Sequence, residues 1–461
     1  MITLFASEIA EIVGGELHAP ANLTITESST FDSRDVLPGG IFFALKGEHA
    51  DGHDFLADAF ARGCAIAIVS HAVNYPSINV PDVVVALTKL ATHVRKELKN
   101  LTVIGITGSQ GKTTTKDLLQ AILSIHHETI APLGSLNNEL GVPLTLLRCT
   151  RSTEYCIVEM GARHKGDIAA LTAVAQPKIG VVLTVGNAHV GEFGSREIIA
   201  ASKFELIESL PSDGTAILGS YDSFTAAMGA GKVGHVLSFG ELPTDQVRAA
   251  DVEIREGRAH FDLVTPLGRE AVALRLVGAS AIPNALAAAA VASVLEIPLD
   301  VIAGALSTAE VVSKWRMQIH ELSNILLIND AYNANPESMS AALRTLSLFA
   351  QERGGQSWAF LGKMHELGES SAQLHAEIGT LAQVMGIDHL VCVGAPEYAG
   401  ALGADSSIVV HQCRDQVQAQ ELGEHFAPGD VLLVKASRSE GLEKLAALFV
   451  ESYQGEGEPE Q

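Results

Sequence analysis

The sequence predicts an α/β fold of three domains, and three observations carry that expectation. The chain has 461 residues, too many for one ordinary hydrophobic core. It is 47% hydrophobic but only 5% aromatic, with 42 glycines, which suits strands and helices joined by tight turns better than an all-β sandwich. Short apolar, β-branched runs alternate with stretches of helical period along most of the length, the pattern of parallel strands with crossover helices.

Residues 1–99 read as a small α/β domain: a helix from Ser7 to Val13, a strand from Ile41 to Leu45, a helix from His53 to Arg62 and a strand from Ala65 to Val69. Two of its loops are chemically marked, FDSRDVLPGG and KGEHADGHDF. Arg34 with the hydroxyl of Ser33 could grip a diphosphate, and Lys46 stands beside a Gly turn that would admit a ligand. Asp-Ser-Arg reads equally well as an ordinary turn, and Asp-Gly-His-Asp as a helix start.

Residues 100–313 are organised around LTVIGITGSQGKTTTKDLL. Leu101 to Ile106 reads as a buried strand and Lys112 onward as a helix, leaving Gly108, Ser109, Gln110 and Gly111 as the turn between them. Backbone N–H groups from Thr107 to Thr114 can converge there on phosphate oxygens, with the helix N-terminus adding positive potential. Lys112 can reach the outer phosphates, and the Thr113 hydroxyl stands where it would ligate Mg²⁺. The form is T-G-S-x-G-K-T-T, with Ile106 where the commoner spacing has its first glycine.

Further along, Tyr155 to Val158 reads as a strand ending in Glu159, a carboxylate suited to anchoring the same metal. A helix from Gly166 to Val174 and a strand from Ile179 to Thr184 follow, then VGNAHVGEFGS and a helix from about Arg196 to Leu210. His189 in that segment reads as a hydrogen-bonded structural histidine or a ligand. Lys203 has Ile199 and Ile207 four residues to either side, so its stem is expected along apolar surface with its amine in water. Only as a carbamate could it ligate a cation. Asn284, near the start of the small-residue helix Ala281 to Ser293, suits adenine or is an ordinary first-turn residue. The alternation from the phosphate loop to Ser313 is that of a P-loop-type parallel-sheet ATPase domain.

Residues 314–461 read as a second doubly wound, Rossmann-like sheet. Its strands are expected at Ile325 to Ile328, Ser357 to Leu361, His389 to Val393, Ser407 to Val410 and Asp430 to Val434, with a helix from Glu337 to Ala350. The strand end INDAYNANPES offers Asp330 to a ribose hydroxyl, and a polar cluster of Asn333, Asn335 and Ser338 at a helix start. The polar tail after Tyr453 is expected to be disordered.

The net charge of -23, from 54 acidic and 31 basic residues, disfavours nonspecific binding of nucleic acid or anionic membrane. Five cysteines without C-x-x-C spacing suggest neither a zinc site nor a disulfide framework. Glu8 and Glu11 do not fit a signal peptide, and no apolar run approaches a membrane span, so a soluble cytoplasmic protein is expected.

Taken together, DSRDVLPGGIFFALKG, TGSQGKTTTK, NNELGVPLTLL, EMGARHKGDI, NAHVGEFGS, NALAAAA, INDAYNANPESM and LVKASRS resemble the Mur ligase family, and within it the branch that joins D-alanyl-D-alanine to UDP-N-acetylmuramoyl-tripeptide. The resemblance implies that the first domain holds the UDP-sugar, the second ATP and Mg²⁺, and the third the dipeptide, in a cytoplasmic monomer with no nucleic acid partner. It assigns Ser33, Arg34 and Lys46, with Asn137 and Asn138, to the UDP-linked substrate, and Asn333 and Asn335 to the dipeptide side. Asn284 would face adenine and Asp330 the ribose. Thr113, Glu159, His189 and a carbamylated Lys203 would hold a pair of Mg²⁺ ions, and Lys112, His189 and Lys203 would be catalytic. Four positions depart from the family pattern: Ser280 and Ala281 replace a His-Asn pair, Trp315 a Gly, and Lys363 an Asp. Two other readings share the same phosphate loop: an amide ligase of the diaminopimelate-, lysine- or glutamate-adding type, and a nucleotide-binding protein without ligase activity.

Overall fold

The structure, a computed structural model, describes residues 1–47, 50–186, 190–229, 234–310, 313–403 and 406–454. Its strands form sheets of nine, six, five and two strands. The nine-stranded sheet carries the phosphate loop. Strand Thr102–Thr107 pairs in parallel with Tyr155–Glu159 on one side and Ile179–Val182 on the other, in a register that sets Ile106 opposite Glu159 and Thr107 opposite Val182. The carboxyl ends of the three strands are therefore level, and whatever follows them shares one edge of the sheet.

The expected parallel alternation holds only as far as Val247. From there the sheet continues as an antiparallel meander of Val247–Arg255, Arg258–Thr265 and Gly268–Val277. The first reversal is a two-residue turn in which Glu256 and Gly257 both have positive φ, +49° and +68°, the backbone twist that suits a tight hairpin. Ala259, Phe261 and Leu263 point inward while their neighbours are exposed or half-buried, a period of two that marks a sheet with one wet face. Beneath it, helix Ala281–Val294 packs on the phosphate-loop helix Lys112–Leu123, its buried alanines allowing close approach.

The five-stranded sheet lies within residues 16–79. Helix Val83–Glu97, which the sequence reading did not anticipate, follows it. Asp82 caps this helix by accepting from the Val84 and Val85 N–H groups, and Val83, Ala86, Leu87, Leu90, Ala91 and Val94 form its buried stripe. That stripe packs against helices Gly141–Leu147 and Asp167–Ala175 on the outer face of the nine-stranded sheet. One continuous apolar core thus runs from Ile9 and Ile41 through Leu90 to Val103 and Val158.

The six-stranded sheet has the order Gln318–Leu322, Ile325–Asn329, Val431–Lys435, Ser357–Leu361, His389–Val393, Val409–Cys413, parallel except for the first strand. Two strands coincide with their expected spans, while the last begins two residues later than expected. Helix Pro336–Arg353 is capped by Asn335, with Pro336 at its first position. Among the described residues, no helix is long and apolar enough to cross a membrane.

Because Leu90 sits in a core common to both sheets, Leu90→Ala should destabilise them together by about 2–5 kcal/mol. Chemical denaturation followed by tyrosine fluorescence and by circular dichroism should give coincident transitions, both shifted. A shift confined to one part would mean that the two sheets unfold independently.

Candidate active site

The phosphate loop is shaped by Gly111. It caps helix Lys112–Leu123 with φ at +83°, and a Cβ there would stand 2.1 Å from the Asn284 Oδ1, so conformation and space both demand glycine. The Asn284 amide also donates to the Ser280 carbonyl at 3.1 Å, which places this residue against the phosphate loop as well as on the cavity wall. Ser109 ties the loop to the neighbouring strand end: its N–H donates to the Thr184 carbonyl, and its hydroxyl accepts from the Gly186 N–H. The Thr107 hydroxyl donates to the Met160 carbonyl. Gln110 and Thr114 line the cavity.

Glu159 is 1% exposed, and both its oxygens are engaged. One accepts from the Thr113 hydroxyl at 2.9 Å and the other from the Asn137 amide at 2.8 Å. Because the Thr113 proton is committed to Glu159, the Ser135 hydroxyl, 2.9 Å away, is the donor to Thr113. Arg316 completes the cluster from the six-stranded side, donating to Thr113 at 2.9 Å and to Ser135 at 3.0 Å. One carboxylate and two hydroxyls form a hard-oxygen donor set, the kind that suits Mg²⁺ sharing its remaining positions with phosphate oxygens and water. Among the described residues, no cluster of three or more His, Cys, Asp or Glu side chains forms a closed metal cage.

Lys112 folds back so that its amine donates to the Gly108 carbonyl at 2.7 Å. Burial lowers its pKa, opposed by the Glu159 carboxylate and assisted by the Arg316 charge. Lys203 departs from expectation. Its amine is not in water: the residue is 5% exposed within helix Arg196–Glu208 and lines the same cavity. Burial first, and the Lys112 charge second, lower its pKa to about 7. Periodicity located its apolar neighbours correctly, but Ile199 and Ile207 are themselves buried and the lysine is buried with them rather than lying on a surface. His189 lies outside the described residues.

Arg316 and Ser135 are the members of the cluster that sequence reasoning missed. Arg316 lies 4.0 Å from the Tyr332 ring, and it is flanked by Trp315 and Met317, both left-handed with φ of +60° and +48°. The left-handed backbone at Trp315 is the conformation glycine adopts without cost, which accounts for glycine in the family pattern. Here the Trp315 carbonyl accepts from the Tyr332 N–H, the Met317 N–H donates to Asp330, and Arg438 stacks on the indole at 4.3 Å.

Asp330 faces the cavity with its second oxygen paired to the buried Lys435 amine at 2.6 Å. Asn335 serves first as a helix cap, accepting from the Ser338 N–H, and Asn333 accepts from the Ala334 N–H. Asn138 accepts from the Gly141 N–H at the start of a helix. All three line the cavity, which measures about 2130 Å³ and lies between the nine- and six-stranded sheets. Ser33, Arg34 and Lys46 are not part of it. Arg34 is exposed and paired with Asp32, whose carboxyl it holds below the usual range, while Ser33 is buried and Lys46 is exposed.

Three family models match the chain: the Mur ligase family catalytic domain over residues 28–121, the Mur ligase middle domain over 106–292, and the Mur ligase glutamate ligase domain over 315–438. The UDP-N-acetylmuramoyl-tripeptide--D-alanyl-D-alanine ligase of Mycobacterium bovis is 41% identical, the alignment covering 98% of each chain. Its counterpart from Escherichia coli is 33% identical over 98% of this chain and 99% of that one. Among solved structures, MurF from Acinetobacter baumannii superposes with a TM-score of 0.86 at 34% identity, covering 97% of this chain and 99% of that one. MurF from Thermotoga maritima in complex with ADP gives 0.79 at 29% identity, covering 94% and 99%.

Gly111→Ala should weaken nucleoside triphosphate binding by at least about 100-fold, since the methyl group forces either the loop or Asn284 to move. Gly304→Ala, in helix Leu299–Thr308 where the backbone is ordinary and a Cβ meets nothing within 4 Å, should have less than a tenth of that effect. Titration calorimetry with a non-hydrolysable analogue compares the two.

Proposed function

The chain belongs to the Mur ligase family, and from that premise we propose that it joins D-alanyl-D-alanine to UDP-N-acetylmuramoyl-tripeptide at the expense of ATP, in peptidoglycan precursor synthesis. The observation that carries the reading is the cluster of Glu159, Thr113, Ser135 and Arg316 at the mouth of the phosphate loop, in a cavity whose opposite wall carries Asp330, Asn333 and Asn335. In this reading residues 1–99 bind the UDP-sugar, 100–313 bind ATP and 314–461 bind the dipeptide. Both cavity walls come from one chain, which supports a monomer as the working unit, and substrates of this kind place it in the cytoplasm.

A carboxylate is a poor electrophile, so the substrate's terminal carboxylate first attacks the γ-phosphorus of ATP, forming an acyl phosphate and releasing ADP. The dipeptide amine then attacks the acyl carbon and expels phosphate. Lys112 and Arg316 bring positive charge to the phosphoryl group in transit. Thr113 and Glu159, with Ser135 beside them, would hold Mg²⁺, which when bound would supply positive charge against the repulsion between carboxylate and phosphate. Asp330 and Asn284 orient the nucleoside, while Ser33, Arg34 and Lys46 grip the distant uridine diphosphate and contribute to binding alone.

Lys203 fits the carbamate role better by its surroundings than by its sequence context. A buried amine with no carboxylate paired to it among the described residues is held in good part neutral, and the neutral amine is the form that adds CO₂. The carbamate would supply anionic oxygens for a second Mg²⁺, in the role that the family resemblance gives it together with His189.

Phosphate release that requires both UDP-N-acetylmuramoyl-tripeptide and D-alanyl-D-alanine tests the assignment. Equal release with free diaminopimelate, lysine or glutamate as acceptor would favour another amide ligase, and no release with any acceptor would favour a non-catalytic protein. Lys203→Ala should lose on the order of 100-fold in turnover and regain part of it with added acetate or formate, whereas Lys203→Arg should not recover. Recovery with Arg but not with small carboxylates would make the residue a plain cation. Arg34→Ala should raise KM for the UDP-linked substrate about tenfold and leave KM for ATP unchanged, and equal effects on both would remove the first domain from the UDP site.

A further inference from the structure

Directly below the Lys112–Thr113 pair, on the same face of the phosphate-loop helix, lies a buried ion pair that the mechanism above does not use. Lys116 follows Lys112 by four residues and Thr113 by three, so the three side chains stack along one stripe. The Lys116 side chain is 3% exposed and that of Asp117 is 4% exposed, with 2.6 Å between ammonium and carboxylate. The ammonium also donates to the carbonyls of Pro132 and Gly134, at 3.3 and 3.2 Å. Its three protons thus have three acceptors. Two of those acceptors belong to the loop that continues into Ser135, which contacts Thr113 and Arg316, and Asn137, which holds Glu159. The other Asp117 oxygen accepts from the Ser313 hydroxyl at 2.7 Å, three residues before Arg316.

We propose that Lys116 and Asp117 are positioning residues, a buried pair that fixes the 132–137 loop and the start of the six-stranded half against the phosphate-loop helix and so sets Ser135, Asn137 and Arg316 around Thr113 and Glu159. An exposed lysine could not do this. Carbonyl groups are weak partners in competition with water, but in a dry site an ammonium already neutralised by Asp117 holds two of them in fixed directions. The pair touches neither phosphate nor metal ligand, so its effect must pass through the loop and the linker. The inference rests on the nucleotide reading of the site, and its test separates the two.

Affinity for a non-hydrolysable ATP analogue with Mg²⁺ is measured by titration calorimetry on the parent, Ser135→Ala, the paired variant Lys116→Met/Asp117→Asn, and the combination of all three changes. Removing both charges together leaves neither ion unmatched. Ser135→Ala should weaken binding about fivefold in the parent but less than twofold in the paired variant, because there the loop no longer presents Ser135 to the site. The paired variant alone should bind about tenfold more weakly than the parent while still melting cooperatively. Equal losses from Ser135→Ala in both backgrounds, or parent-like binding by the paired variant, would overturn the proposal. If the paired variant does not fold, Asp117→Asn, which keeps the side-chain shape and the Ser313 contact, takes its place in the same cycle under the same criteria. A parent that does not bind the analogue overturns the nucleotide reading and this inference with it; a parent that binds but gives independent losses overturns the inference alone.

Discussion

A carboxylate that is almost wholly withdrawn from water is the constraint on which the rest of the site depends. Glu159 ends a parallel strand, where the next residues must turn away, and its charge can persist there only with partners on both oxygens. Thr113 and Asn137 provide them from two different segments. The phosphate-loop helix and the 132–137 loop are therefore held to the same strand end by one buried anion, with Lys112 contributing favourable charge nearby. The same carboxylate thus holds together the segments that carry the proposed metal-binding oxygens.

The six-stranded half reaches the groups around this anion through Arg316, which donates to Thr113 and Ser135, and the backbone around that residue is unusual. Arg316 lies between two left-handed non-glycine residues, each disfavoured by roughly 1–2 kcal/mol relative to ordinary backbone. Such a conformation persists only where its surroundings over-determine it. Here the Tyr332 N–H holds the Trp315 carbonyl, Asp330 holds the Met317 N–H, and Lys435 holds Asp330 in turn. Asp330 consequently aims the arginine, in addition to the nucleoside contact proposed for it. Loss of its carboxylate would disturb both.

Much of this was legible in the sequence because it depends on local pattern. Strand, glycine turn and helix announced the phosphate loop, and the strands Ser357–Leu361 and His389–Val393 begin and end where their apolar runs do. What stayed hidden depends on contacts distant in the chain. The antiparallel meander carried a period-two signal at Ala259, Phe261 and Leu263, but the parallel rhythm before it and the helix after it hid the change of direction. Helix Val83–Glu97 had a capping Asp82 and a clean apolar stripe, so both of its signals were present and went unread. Lys203 is different in kind: isoleucines on either side predict a hydrophobic face without saying whether that face closes over the amine. Ser135 and Arg316 carry no local signal, since a lone serine in a loop and an arginine after a linker are common, and only the fold brings them 3.0 Å apart.

The two halves of the cavity approach closely at several glycines, and this bears on how a reactive acyl phosphate could be kept from water. A Cβ on Gly191 would stand 2.4 Å from the Gly368 nitrogen, one on Gly257 would stand 2.3 Å from the Phe349 ring, and one on Gly278 would stand 3.0 Å from the Thr345 hydroxyl. Each contact joins the nine-stranded half to the six-stranded half, and the Gly191 N–H donates to the Glu366 carbonyl across the same seam. Arg163 adds an ion pair to Glu366 at 3.3 Å. Side-chain packing would tolerate adjustment by rotamer changes, whereas contacts made by glycine leave little room between a seated and an unseated arrangement. In the proposed reaction such a close seam would exclude water around ATP and the substrate carboxylate, with Arg316 held on Thr113 from the six-stranded side. Specificity for the attacking amine would in that reaction fall to the wall that carries Asn333 and Asn335, the part of the cavity lining that lies away from the phosphate loop in the chain.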